Sequence, residues 1–535
     1  GGAAGLLLLI AWANVTGLLL IRATRRRKEV AVRLALGARR AAIARLLSLE
    51  ALLLVAAATA AGLAVCALSM EAIAPLIERE LGRPAPRGLA AFAVDGQVML
   101  AAALCGLVVA VAAGLSPLAV SWRADLLQPL QSGGRSATEG RGSQRTRSAL
   151  IALEIAASLA LLAGSVLMIQ SVGRLMRVDF GIQGSQVLTT SLTLRQATYP
   201  DAASRAAFHD RVLSRLSTIP GVRSVALANW WPLQARPPQR IEAEGAPVSG
   251  LSASLFPVSP DYFGALGIPV VSGRTFAASD GDAGERVAIV SETFARRAWP
   301  DGGAVGSYIA VAEEDEHGGR RPSASFRIVG TVGDVRQTPA DEDLADVYVP
   351  LRQVVGRFFF LHVRTSGPPM ALLTAVRAAF GEIDPEVSLT NPRPLQAAID
   401  EQVARPTFLA WLLTGFAAVA ALVALVGVYG VIAYAVRQRE REIAVRIALG
   451  AAPARITRLF LRQGSVVLAV GLALGLGGAV AAGRALQSQL FGVSPGDPAT
   501  LAVSLAAFAA AALLAIWWPA SRAAGANPVA ALKED

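Results

Sequence analysis

The stretch Arg-Arg-Arg-Lys-Glu-Val-Ala-Val-Arg-Leu-Ala-Leu-Gly-Ala runs from Arg25 to Ala38, and it returns as Gln-Arg-Glu-Arg-Glu-Ile-Ala-Val-Arg-Ile-Ala-Leu-Gly-Ala from Gln438 to Ala451. Carried without a gap to Leu46 and Leu459, the two copies agree at 13 of 22 positions. Several mismatches are conservative, Val30 with Ile443 and Lys28 with Arg441 among them. Such agreement marks an internal duplication, and the rest of the chain is ordered around it.

Each copy has the period of a helix. Glu29 and Arg33, like Glu442 and Arg446, stand at i and i+4 with the acid first, the favourable order for a pair along a helix. Val30 and Leu34 flank that charged stripe on one side and Val32 and Leu36 on the other, a pattern that predicts burial from two directions. Gly37 and Gly450 fall where a left-handed cap ends a helix. Pro453 suits the first turn of a following helix.

The surroundings are apolar. Of 535 residues 54% are hydrophobic, and the formal net charge is +11; the mean hydropathy is +0.49. That combination suits a membrane protein better than a soluble enzyme. Seven runs are long enough, or nearly so, to cross a bilayer: 6–21, 51–70, 98–120, 149–169, 408–436, 465–482 and 501–519. Arginines gather at one end of every run, at Arg22 to Lys28, Arg39 to Arg45, Arg123, Arg135 to Arg147, Arg437 to Arg462 and Arg522 to Lys533. With those ends cytoplasmic the positive-inside rule is met, and the stretch from Arg177 to Pro406 lies outside. The basic excess therefore reports topology and not nucleic-acid binding.

The second half reads as one span, a large outer domain and three spans, with the repeated stretch between the first and second of the three. The first half shows only the last three spans. Pro117 to Leu130 also aligns with Pro519 to Leu532. By symmetry, an opening span and a first outer domain are expected upstream of Gly1, where neither a signal peptide nor an initiating Met stands. Residues 131–147, rich in Gly, Ser and Arg, read as a flexible cytoplasmic linker, or as a basic strip on anionic lipid.

The outer stretch mixes patterns. Leu188, Thr190, Leu192 and Leu194 alternate as a strand, as do Phe359, Leu361 and Val363, whereas Phe208, Val212 and Leu216 recur as a helix face. Ser291 and Glu292 after the apolar Val287 to Val290 predict a strand running into a capped helix. The domain is large enough for two subdomains. It has no cysteine, Cys66 and Cys105 both lying in apolar runs, so no disulfide framework holds it. His209, His317 and His362 show no metal-ligand spacing, and His362 is expected on a polar, exposed strand face. Glu313 to Glu316 read as a solvated loop in preference to a cation site. Neither a Gly-x-x-x-x-Gly-Lys-Ser/Thr phosphate loop nor a His-Glu-x-x-His zinc motif occurs. No catalytic residue, cofactor or metal is assigned.

Within the spans, Glu154 is costly unless paired, and an arginine at the inner surface, Arg147 or Arg45, is its expected partner. Gly471, Gly475 and the pair Gly477 and Gly478 have the small-residue spacing of close helix packing. Trp122, Trp517 and Trp518 suit an interfacial belt.

The repeated motif after an apolar span, with the next span opening on Arg-Leu, resembles the FtsX-like permease domain of MacB-type ABC transporters. Two such domains in one chain resemble the duplicated, orphan permeases first described from acidobacteria. The outer stretches from Val258 to Ile268, Val287 to Arg297 and Ile328 to Arg336 are similar to the MacB-like periplasmic core. The resemblance covers nearly the whole chain and implies an α-helical inner-membrane protein with seven transmembrane helices and one large α+β extracytoplasmic domain. The division expected is 1–122 first permease domain, 123–147 linker, 148–172 span, 173–405 periplasmic core and 406–535 second permease domain. It further implies that Glu29, Arg33, Gly37, Glu442, Arg446 and Gly450 belong to coupling helices that meet a separate cytoplasmic ABC ATPase dimer. Closure of that dimer would move the outer domain by mechanotransmission, for export or extraction of a substrate. The same resemblance admits a periplasmic adaptor or outer-membrane component as partner. Copy asymmetries, Arg27 against Glu440 and Arg39-Arg40 against Ala452-Pro453, imply unequal engagement. The alternative is an ATPase-independent sensor or scaffold whose outer domain binds a ligand; in it the two motifs would be free to diverge.

Overall fold

The computed structural model describes residues 2–25, 33, 40–81, 95–122, 141–247, 250–277, 279–280, 285–314, 320–339, 344–354, 356–449 and 452–524. The chain divides into two units, 1–174 with 405–535, and 175–404.

The first unit is helical. Four of its helices precede the outer domain: α1 (Gly2–Arg25), α2 (Arg40–Leu81), α3 (Gly96–Trp122) and α4 (Arg141–Leu175). Helix α4 therefore starts inside the stretch expected to be a linker; the remainder of that stretch lies outside the described residues. From Ala149 on its sequence is rich in Ala and Leu, the strongest helix formers.

The second unit, 175–404, is α+β. Strands β1 (Val187–Thr193), β2 (Val222–Ala228), β10 (Phe358–Thr365) and β11 (Thr390–Pro394) form an antiparallel sheet in the order β11-β1-β10-β2. Helices α5 (Ala202–Ser217) and α8 (Leu373–Ile383) contribute to the same core as one face of that sheet. Leu188 pairs with Val363, Thr190 with Leu361 and Leu192 with Phe359. Their apolar members pack with Phe208, Val212 and Leu216 in that core, as the alternation predicted.

The remaining strands close a ring. Strands β3 (Gln239–Ala243), β4 (Leu251–Val258), β6 (Val287–Ser291), β7 (Tyr308–Glu314), β8 (Arg320–Val332) and β9 (Asp346–Pro350) pair in the order β4-β3-β7-β8-β6-β9, and β9 returns to β4 in parallel. Closure removes the sheet edges that would otherwise attract other strands. The short strand β5 (Val270–Gly273) pairs with β8 outside this ring. Its core is built on Ile241, Val290, Phe294, Ile309, Ile328 and Val347, and a single bridge, Ala228 with Val258, joins ring to sheet. Helix α6 (Tyr262–Leu266) follows β4, and α7 (Glu292–Ala298) follows β6. At the start of α7 the expected strand-to-helix turn is present, with Ser291 Oγ accepting from the Phe294 N–H at 3.2 Å.

Two expectations are corrected here. His362 is fully buried, because the Trp231 ring stacks on it and Tyr262 of α6 stands edge-on, so the sheet is covered on both faces. Its Nδ1 shares a hydrogen bond with Thr189 Oγ1 at 3.2 Å, and burial pushes the imidazole down to about 3. His209, edge-on to Phe359 at 4.7 Å, is likewise driven down to about 4 by burial, with Asp210 opposing. His317 lies outside the described residues. Glu313 and Glu314, expected in a loop, instead end β7, paired with Arg321 and Arg320 of β8, since the hairpin carries its ladder into the acidic run.

The chain returns to the helical unit through α9 (Leu395–Gln438), α10 (Glu440–Ala448), α11 (Pro453–Ala485) and α12 (Pro498–Ala524). Among the described residues seven helices, α1 to α4, α9, α11 and α12, are long and apolar enough to cross a membrane. Helices α4, α9, α11 and α12 share one core containing Ile155, Leu159, Val428, Phe460, Leu468 and Phe508. Gly471, Gly475 and Gly478 of α11 are packing devices, as their spacing predicted, whereas a Cβ on Gly477 would meet nothing within 4 Å. A Cβ on Gly475 would stand 3.0 Å from Ala156 Cα and Leu159 Cβ, and one on Gly471 2.8 Å from Ile155 Cβ.

Candidate functional site

The second copy of the repeated stretch forms its own helix. Arg439 ends α9 and caps α10 with a non-helical φ of −109°. The Ile443 N–H then donates to the Arg439 carbonyl at 2.9 Å, and Leu449 closes the helix by donating to Val445 O at 3.0 Å. Pro453 opens α11 in its first turn, where its missing N–H costs nothing.

The charged stripe is in place: Arg446 Nη2 donates to Glu442 Oε1 at 2.5 Å, with both side chains about half exposed. Burial from two directions does not hold for this copy. Ile443 is buried in the bundle core and Ile447 packs against it. Val445 and Leu449, one turn apart on the other flank, are 47% and 82% exposed. A nine-residue helix can seat only one stripe on a bundle, so the opposite stripe stays open. Alternation of apolar residues around the charges was visible in the sequence; which of the two flanks would face the bundle was not.

Arg33 is exposed in a helical position. Glu29, Gly37 and Gly450 lie outside the described residues.

A second polar position sits where the two halves meet. Asn14 of α1 donates through Nδ2 to Val423 O of α9 at 3.3 Å. A Cβ on Gly427 would stand 2.6 Å from Glu154 Oε2 and 2.8 Å from Asn14 Oδ1. Glu154 is 2% exposed, and among the described residues no basic side chain pairs with it. The expected bond to Arg147 or Arg45 is thus replaced: Arg147 lies over the Tyr434 ring at 4.6 Å, and Arg45 is exposed. The physical reason is the missing side chain at Gly427, which opens a gap across the helices that the carboxyl group enters. The offset that aligns Arg25 with Gln438 also aligns Asn14 with Gly427, a signal that carrying the repeat upstream exposes.

Two family models match this chain. The MacB-like periplasmic core domain matches residues 148–383. The FtsX-like permease C-terminal domain matches twice, at 1–126 and 414–528. The chain is a MacB/FtsX-type ABC transporter permease. This permease is a multi-pass membrane protein whose α+β unit is of the periplasmic core type.

Similar proteins include the macrolide export ATP-binding/permease protein MacB of Azoarcus sp. (strain BH72), 29% identical over 278 residues, 50% of this chain and 40% of that one. The pyoverdine export ATP-binding/permease protein PvdT of Pseudomonas aeruginosa is 26% identical over 444 residues, 79% of this chain and 61% of that one. An ABC transporter permease, YknZ of Bacillus subtilis, is 26% identical over 301 residues, 53% of this chain and 69% of that one. The permease thus spans 40% and 61% of the length of the first two of these relatives. The periplasmic region of MacB from Actinobacillus actinomycetemcomitans aligns with a TM-score of 0.28 at 13% identity, covering 42% of this chain and 95% of that one.

Proposed function

We propose that this permease couples ATP hydrolysis by a separate cytoplasmic ABC ATPase dimer to movement of its outer domain, for export or extraction of a substrate across the cell envelope. The observation that carries the reading is α10: one stripe is anchored in the bundle through Ile443, while Val445 and Leu449 remain open beside the Glu442–Arg446 pair. An apolar knob rimmed by charge is the form of a docking surface. Anchored at its base, α10 transmits displacement to α9, α11 and α12 as a rigid body. The repeat supplies a second such element around Glu29, Arg33 and Gly37, and two matched elements suit a two-fold partner. Gly450 would let the chain turn from α10 into α11. The ATPase partner supplies the phosphate loop that these 535 residues lack.

The test is capture of the ATPase encoded with or nearest to this permease, together with its hydrolysis rate. Leu449→Asp abolishes capture and stimulation while the melting temperature stays unchanged, because the side chain is exposed. Capture undiminished by Leu449→Asp, or labelling of a thiol at 449 from the outer face of intact cells, overturns the reading.

A further inference from the structure

A cavity of about 340 Å³ lies among α4, α9, α10, α11 and α12 at their arginine-rich ends. Its polarity changes along each helix in the same sense. On α4 the lining passes from Arg147 to Ile155, on α11 from Gln463 to Leu468, and along α9 toward α10 from Val428 to Arg439. The arginine-rich mouth is therefore polar and the end toward the membrane centre is apolar.

The mouth is a built cationic site. Arg147 is 7% exposed with its guanidinium carbon 4.6 Å from the Tyr434 ring centre, and Arg439, half-buried, lines the same cavity. The carboxylate in the lining, Glu442, is engaged by Arg446. Two planar guanidinium forks lining one cavity suit bidentate hydrogen bonding to the oxygens of a phosphate. A free phosphate would leave the apolar floor empty, whereas a lipid fills both ends. The volume falls within the range of small-ligand sites, and basic pockets between spans at a membrane surface take acidic headgroups.

We propose that this cavity binds one anionic phospholipid from the leaflet at the arginine-rich ends, with its phosphate between Arg147 and Arg439 and its upper acyl chain on Ile155, Val428 and Leu468. Arg439 and Glu442 belong to the start of α10, so the lipid forms part of the seat of that helix. The proposal requires the spans to cross a bilayer and is independent of what α10 docks.

Native mass spectrometry of the delipidated full chain tests it, with phosphatidylglycerol, phosphatidylcholine of the same acyl chains, and inorganic phosphate as probes. Phosphatidylglycerol is retained over phosphatidylcholine by about tenfold or more, because both carry the phosphate but the choline cation is repelled by the two guanidinium groups. Arg147→Gln and Arg439→Gln each abolish that preference and weaken retention of both lipids, and Val467→Trp, which fills the cavity, removes the tightly held lipid. Inorganic phosphate at millimolar concentration does not compete. Arg439→Gln and Val467→Trp remain informative if Arg147→Gln fails to fold. Equal retention of the two lipids overturns the proposal, as does a preference that survives Arg439→Gln and Val467→Trp. Displacement by inorganic phosphate overturns it in favour of a free-anion site.

Discussion

Helices α2 and α11 hold equivalent places in the two copies, yet they are packed differently. Carrying the gapless register onward sets Gly475 against Gly62 and Gly478 against Val65. Gly475 has α4 pressed onto it, whereas a Cβ on Gly62 would meet nothing within 4 Å, and Val65 is 63% exposed. The second copy closes around α4, which is the most buried span of the seven. Among the described residues α2 has no neighbour on that face. Helix packing in a membrane is won by close approach of small residues and not by hydrophobicity, so the same glycine is a contact in one half and idle in the other.

The sharpest expected contrast is at that glycine. Gly475→Leu forces α11 away from α4 and lowers stability by about 3 kcal/mol or more, as severe overpacking does. Gly62→Leu leaves it within about 0.5 kcal/mol, as for an open surface site. Thermal unfolding of the full chain in detergent decides the matter; equal losses would mean that α2 has a partner on that face.

A second contrast lies between α2 and α3 and their counterparts α11 and α12. Gly464 faces Ile516, whose Cδ1 is 2.9 Å from the position of a Cβ. The first copy has Ala51 facing Gly114 at 3.6 Å, so small and large residues are distributed differently over the same crossing. Gly114→Ile costs about 1–3 kcal/mol, and adding Ala51→Gly restores at least half of it. If the double variant melts no higher than the single one, the two crossings are not equivalent.

The seam of α1 and α9 gives a smaller effect. Gly427→Ala places a methyl group against Glu154 and Asn14 and costs about 1 kcal/mol, less than overpacking of rigid groups because both contacts are side-chain ends. In the Asn14→Ala background the cost is smaller, by a coupling of about 0.5 kcal/mol or more. Additive losses in the cycle would show that Asn14 and Gly427 act separately.

The smallest change is expected on α10. Glu442→Gln breaks an exposed i, i+4 pair and alters stability by no more than about 0.5 kcal/mol, while ATPase capture weakens. Glu29→Gln gives the same small stability change if the first copy is built alike, and a markedly larger loss there would set the two copies apart.

Much of the architecture could be read from residues alone. Seven apolar runs gave seven helices of spanning length, because twenty apolar residues have no other stable state in a bilayer. The alternations at Leu188 and Phe359 and the helix face at Phe208 converged in one core, and Ser291 capped its helix, since these signals are local. The duplication, the Glu442–Arg446 pair and the turn at Pro453 are local too.

Which neighbour each surface meets was beyond such signals. His362 looked exposed because its strand alternates, and it is buried because Trp231 and Tyr262, distant in the chain, cover the second face. Glu154 looked bound to an arginine two turns away, and it enters the gap at Gly427 instead. Val445 and Ile443 are both apolar flanks of one charged stripe, and only the packing of α9, α11 and α12 selects Ile443. Periodicity specifies the faces an element has, and contact across hundreds of residues specifies which of them is covered.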